Sequence, residues 1–245
     1  FLIDKHNSYI KKDNQLSLIV FPILIFIFCL IGFFYFSKIF FLIFYLANFF
    51  HVTRQSAGVS KLYLSDSKQK LFQEYCIYFY GSILFLIGFF RFYLPIITND
   101  LLIYINFLMV FFLFLLIAIH LSLFGSKEIF VFITGLIIFY PMCFVQNPIH
   151  AIIMGVTMHY SQYLCLTYKI KTRRNDSNQL NIKKYFLLFI FMYGLIMASI
   201  SSLGNNNTLI KNLIIIPIIG QMIHFYLDSF LWKFSNKKVR EATIP

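Results

Sequence analysis

The sequence predicts an all-α, polytopic integral membrane helical bundle of about eight transmembrane helices, with both termini cytoplasmic. Three observations carry that prediction. The chain of 245 residues is 60% hydrophobic and only 12% charged, where a soluble domain averages about 45–50% apolar and about 25% charged. Apolar runs close to the ~20 residues that cross a bilayer recur along it. Lys and Arg fall almost wholly on one side of the alternation that those runs impose.

The runs can be taken in order. A polar tail, 1–15, precedes the first run at 16–36. The second begins near Ile39 and continues past His51 to about Ser60. The third covers 73–97 and ends at Pro95 before Thr98. The fourth, 101–124, is closed by Gly125 and Ser126. The fifth is 128–146. The sixth follows Asn147, with Pro148 in its first turn, where a missing N–H costs nothing. After a polar loop at 169–184 the seventh covers 185–203, and Gly204 and three Asn end it. The eighth, 208–232, leads into a basic tail, 233–245. The domain plan is therefore one transmembrane domain, 16–232, between two tails. The polar stretch after Phe1 is not a signal peptide, which puts a short basic region ahead of its apolar core, and the expectation is an N-terminally truncated fragment.

With eight crossings, one face receives the N-terminal tail, Lys61, Lys68, Lys70, Lys127, the 169–184 loop and the C-terminal tail. That face holds 17 Lys and Arg, against three on the other: Lys38, Lys211 and an outward-snorkelling Arg91. Basic loops stay on the cytoplasmic side, so both termini are expected there, in a bacterial-type inner or plasma membrane. The same rule explains the net charge of +12, and no nucleic-acid partner is expected. Cys29, Cys76, Cys143 and Cys165 stand singly in apolar runs and read as small buried hydrophobes.

Polar inserts interrupt three runs, and intramembrane ionisable groups normally face a partner or a cavity. The second run carries His51, Arg54 and Gln55 on one helical face. The sixth carries His159, with Gln162 one turn later. The eighth carries Gln221, His224 and Asp228 on one face. His120 closes the fourth run, and Glu74 with Gln73 opens the third, where an interfacial residue without a role is the simpler reading of Glu74. Even-numbered runs descend toward the cytoplasm, which places these histidines in the inner half of the bilayer. Imidazoles at one depth beside a carboxylate suit a transition metal such as iron, zinc or copper.

The H-x-x-H-H boxes of membrane desaturases are absent, and His224 and Asp228 are one residue too close for an HxxxxD acyltransferase. In general organisation over the second to eighth runs, and without a diagnostic motif, the chain resembles the bacterial carotenoid-cleaving membrane oxygenases of the bacteriorhodopsin-related-protein class. Those are multi-helix proteins with a few dispersed His ligands near one face, and this chain has His224 and Asp228 where an H-x-x-x-H pair would stand. The resemblance implies an iron-dependent oxygenase acting on a lipophilic substrate.

The leading expectation is thus a membrane-embedded, oxygenase- or desaturase-like metalloenzyme taking a lipophilic small molecule from the bilayer. His51, His159 and His224 are the metal ligands, with His120 a fourth. Asp228 is a ligand or its acceptor, and Arg54, Gln55 and Gln162 orient the substrate. The alternatives are a proton-coupled transporter using the same residues, a haem-binding protein and a structural membrane subunit.

Overall fold

Side-chain caps, rather than the edges of the apolar runs, set where two of the helices begin. The structure, a computed structural model, describes residues 14–64, 66–126, 128–146, 151–152, 154–160, 164, 188, 191–192, 195, 212–213 and 215–231. Its elements are α1 (Gln15–Tyr35), α2 (Ser37–Tyr63), α3 (Ser67–Phe92), α4 (Asn99–Phe124), α5 (Ile129–Ile137), a 3₁₀ turn (Tyr140–Cys143), helical residues at 151–152 and 154–160, and α6 (Ile215–Leu231). No strand occurs among the described residues. Most of the seventh run, the 169–184 loop and both tails lie outside them.

Asp66 caps α3 by accepting the Gln69 N–H at 2.9 Å, so the helix starts six residues ahead of the apolar run and takes in Lys68 and Lys70. Thr98 caps α4 through the Leu101 N–H at 3.3 Å, and Asp100 in that first turn complements the helix dipole. Gly125 ends α4 at φ 73°, the left-handed conformation that glycine adopts without strain. Among the described residues, three helices are long and apolar enough to cross a membrane: α1, α3 and α4. At about 1.5 Å per residue they reach the ~30 Å of a hydrocarbon layer. Large apolar side chains stay exposed along them, such as Ile19, Ile23 and Phe34 on α1 and Phe107, Phe111 and Phe114 on α4. That surface suits lipid and marks a membrane protein.

The chain forms two compact units, one drawn from Phe1–Phe44 with Thr167–Pro245 and the other from Tyr45–Leu166. In the first, Phe36 alone separates α1 from α2, its N–H donating to the Gly32 carbonyl at 3.0 Å while its own carbonyl accepts from Phe40 at 2.9 Å. Phe28, Phe33, Phe40 and Phe41 close this corner ring against ring. Helix α6 packs on α1. Tyr226 stacks on Phe21 at 5.3 Å and donates its hydroxyl to the Ser17 carbonyl at 3.2 Å. Late α6 therefore meets early α1.

In the second unit, contacts at each end fix alternating directions. At one end Lys61 of α2 pairs with Glu74 of α3 at 2.5 Å, and His120 of α4 stacks on Phe132 of α5. At the other end Tyr45 of α2 stacks on Phe85 of α3, and Arg91 of α3 and Asn106 of α4 reach the 3₁₀ turn. Thus α2, α3, α4 and the α5 segment alternate in direction. Thr53, Ser56, Ala57 and Ser60 form the buried face of α2. Small residues of this kind let helix backbones approach in lipid.

The fifth run differs from expectation. Instead of one helix over 128–146, α5 spans nine residues and gives way to the 3₁₀ turn at Pro141. Proline lacks the N–H that would continue the ladder and disfavours helical geometry in the residue before it. The break exposes two carbonyls, which Arg91 (to Met142 O, 3.0 Å) and Asn106 (to Cys143 O, 3.0 Å) satisfy. Arg91 does not snorkel outward as the sequence suggested. It holds the break together.

Gly135 is the tightest point between α5 and its neighbours. A Cβ there would lie 2.8 Å from Ile77 Cδ1 and 2.9 Å from Ser56 Oγ. Gly135→Leu is expected to cost about 1–3 kcal/mol by overpacking, read as a lower unfolding midpoint in detergent. Gly58, whose Cβ would meet nothing within 4 Å, is the control: Gly58→Ala should match or exceed the parent, because Ala is favoured over Gly inside a helix.

Candidate functional site

The polar residues of α2 divide between two faces. Thr53, Ser56 and Ser60 turn inward and are buried. Asn48, His51 and Gln55 occupy a neighbouring face, with Asn48 buried and the other two half-buried. Arg54 is exposed, so it does not share the burial of His51 and Gln55 although all three stand within one turn.

His159 reaches this face from the helical residues 154–160. That helix comes close because Gly155 sits against the Ile138 backbone, where a Cβ would be 3.0 Å from the carbonyl oxygen. His159 is 1% exposed. Its ring meets that of His51 edge to face, with centroids 5.8 Å apart and planes at 89°. Ligand nitrogens of the two rings lie within 4.8 Å of each other. Two metal–nitrogen bonds of ~2.0–2.1 Å span most of that gap, so a small rotamer change would let both rings bind one ion. Tyr160 flanks His159 at 5.8 Å. Gln162 lies outside the described residues.

In the other unit, α6 carries His224 and Asp228 one turn apart. His224 Nε2 is 3.2 Å from Asp228 Oδ2, and the carboxylate is almost fully buried. Gln221 is half-buried one turn earlier. The helix is anchored on its opposite side: Tyr226, two residues and so about 200° from each, is the residue held by Phe21 and Ser17 of α1.

His120 has different company. Its Nε2 accepts from the Gln73 amide at 2.9 Å and faces the Gln69 amide at 3.3 Å. Phe72, Phe124 and Phe132 surround the ring, Phe132 stacking on it at 4.9 Å. All three polar side chains are buried. This cluster ties α3 to α4, the service polar side chains commonly give between helices in lipid. Gln69 was missed in the sequence because hydropathy assigns it to a loop. The readable signal was Asp66, a capping residue that extends α3 backward and puts Gln69 and Gln73 on one face. Glu74, paired with Lys61, stands outside the cluster.

Cys29, Cys76 and Cys143 are buried free thiols, in keeping with their reading as small hydrophobes. Cys165 lies outside the described residues. Compared with protein-family models, curated proteins and solved structures, the chain matches none.

The separate surroundings of His120 give a test. Gln73→Leu leaves His120 Nε2 without its closer donor and is expected to cost on the order of 1 kcal/mol, the scale of an interhelical hydrogen bond in lipid. The unfolding midpoint should fall by a few degrees, while any metal bound by the purified protein stays at the parent level. Loss of metal in this variant would place His120 in the ligand set.

Proposed function

We propose that this protein is a membrane-embedded, metal-dependent enzyme of the oxygenase or desaturase type, acting on a lipophilic substrate. His51 and His159 hold a transition metal, iron foremost. The observation that carries the reading is the edge-to-face pair of His51 and His159, two imidazoles at ligand spacing from two separate helices. Two histidines on separate helices at such spacing suit metal ligation better than they suit lipid contact. His224 and Asp228, the remaining candidates from the sequence, belong to the other unit.

The topology proposed with this site is about eight crossings with both termini cytoplasmic, the fifth crossing being the broken α5 segment. The alternating directions of α2 to α5 support it. So does the distribution of Lys and Arg, with 17 on the proposed cytoplasmic face against Lys38 and Lys211 on the other. The setting proposed is an inner or plasma membrane of bacterial type.

When bound, the metal would supply the oxidising chemistry. The chain's own part is to bind and orient. Gln55, one turn from His51 on α2, offers hydrogen-bonding groups beside the imidazoles, and Arg54, exposed on the next face of α2, steers the polar end of an amphiphilic substrate. An apolar substrate enters sideways from the bilayer, so no soluble domain is needed.

A proton-coupled carrier is the second reading. In it His224 and Asp228, 3.2 Å apart, would relay protons, the role intramembrane ionisable pairs take in carriers.

Metal analysis and a visible spectrum of detergent-purified protein separate the two readings. The enzyme reading expects near-stoichiometric iron, copper or zinc, reduced to background in His51→Ala and His159→Ala. A Soret band lost in those variants would mean haem instead. Folded parent protein without metal would contradict the enzyme reading and leave transport in its place.

A further inference from the structure

We propose that Arg54 holds the carboxylate head of a single-chain amphiphile of the fatty-acid class, on the open face where α2 runs beside α3. As a substrate site it rests on the metal-enzyme reading above. Arg54 and Lys61 stand seven residues apart, so both lie on one stripe of α2. Glu74 and Tyr78, four apart, share a face of α3. The two faces meet, because Lys61 pairs with Glu74 and the charges of both Arg54 and Glu74 reach the Tyr78 phenol. Lys61 and Glu74 therefore neutralise each other. Arg54 is exposed and has no carboxylate partner among the described residues. One positive charge is left over on this face.

That charge is set back from the end of the bundle. Arg54 lies about 10 Å along α2 from Lys61, and Tyr78 about 6 Å along α3 from Glu74, at about 1.5 Å per residue. A charge at such depth calls for a counter-charge. A guanidinium presents a planar fork that matches a carboxylate with two parallel hydrogen bonds, and the Tyr78 hydroxyl is a further donor. A phospholipid phosphate stays at headgroup level with its glycerol, whereas a lone carboxylate is small enough to follow the guanidinium inward. The apolar tail has a track. Phe50 and Leu46, one and two turns before Arg54 on the same side of α2, stay exposed. A chain laid over them passes His51, the residue after Phe50, so the carbons near the head come level with His51 and His159.

The test uses the full chain in detergent, with hexadecanoate carrying ¹³C at its carboxyl as the probe and hexadecan-1-ol as its uncharged counterpart. The parent should bind hexadecanoate saturably and about tenfold or more tighter than the alcohol. Arg54→Gln should weaken hexadecanoate roughly 10–100-fold, the scale of hydrogen bonds to a charged group, and leave the alcohol unchanged. Arg54→Lys keeps the charge without the fork and should fall between the two. Both variants should unfold at the parental midpoint, since the side chain is exposed. Equal binding of acid and alcohol by the parent would overturn the proposal, as would parental hexadecanoate affinity in Arg54→Gln. Dioleoylphosphatidylglycerol displacing the probe at lower concentration than unlabelled hexadecanoate would also overturn it, making the occupant a phosphodiester lipid. Metal content, read on the same samples, keeps the two claims apart. Arg54-dependent hexadecanoate binding in a metal-free parent supports this site and contradicts the metal reading, while parental metal with no such binding does the reverse.

Discussion

Hydrocarbon has no water to offer a backbone carbonyl, and each group left unpaired there costs several kcal/mol. Continuous helix avoids the problem, as α1, α3 and α4 do over 21 to 26 residues. The α5 segment cannot avoid it, because Pro141 stops the ladder. The answer is to bring donors to the break: Arg91 and Asn106, from two other helices, each give an N–H to a freed carbonyl. Those two bonds oblige the ends of α3 and α5 and the first turns of α4 to meet. Gly135 and the small face of α2 then permit the close approach that brings the α5 segment alongside. The helix bearing His159 backs onto the Ile138 carbonyl just before the break, so the place of His159 beside His51 depends on the same solution.

Much of this architecture was legible in the residues. Long runs such as 16–36 and 101–124 can be little else than helices in lipid, and α1 and α4 follow them within two residues. The boundaries that were misplaced have a common cause. Hydropathy registers side-chain transfer, whereas a helix starts where its first N–H groups find acceptors, and Asp66 and Thr98 supply those acceptors ahead of the apolar residues. Break points depend on the backbone too, so the uniformly apolar 128–146 gave no hint of its own interruption except the Tyr140–Pro141 step.

For the site, the sequence could mark polar residues but not say which of them meet. His51, His120 and His159 look alike in a hydropathy profile. Their partners differ because those partners come from elsewhere in the chain: an imidazole for His51, two amides and three phenyl rings for His120. The His224–Asp228 contact was readable, since it lies within a single helix and follows from spacing alone. Arg54 shows the opposite limit. Its place three residues after His51 put it on the polar side of α2, yet burial is decided by what packs there, and that side chain is exposed.

The central claim is that the imidazoles of His51 and His159 bind one ion. X-ray absorption at the zinc edge of the loaded, purified protein detects them directly. The account predicts at least two imidazole nitrogens at about 2.0–2.1 Å, with the outer-shell scattering of rigid rings, and no bound zinc in His51→Ala or His159→Ala. A parent spectrum with one imidazole or none, or zinc at the parental level in either variant, would contradict it.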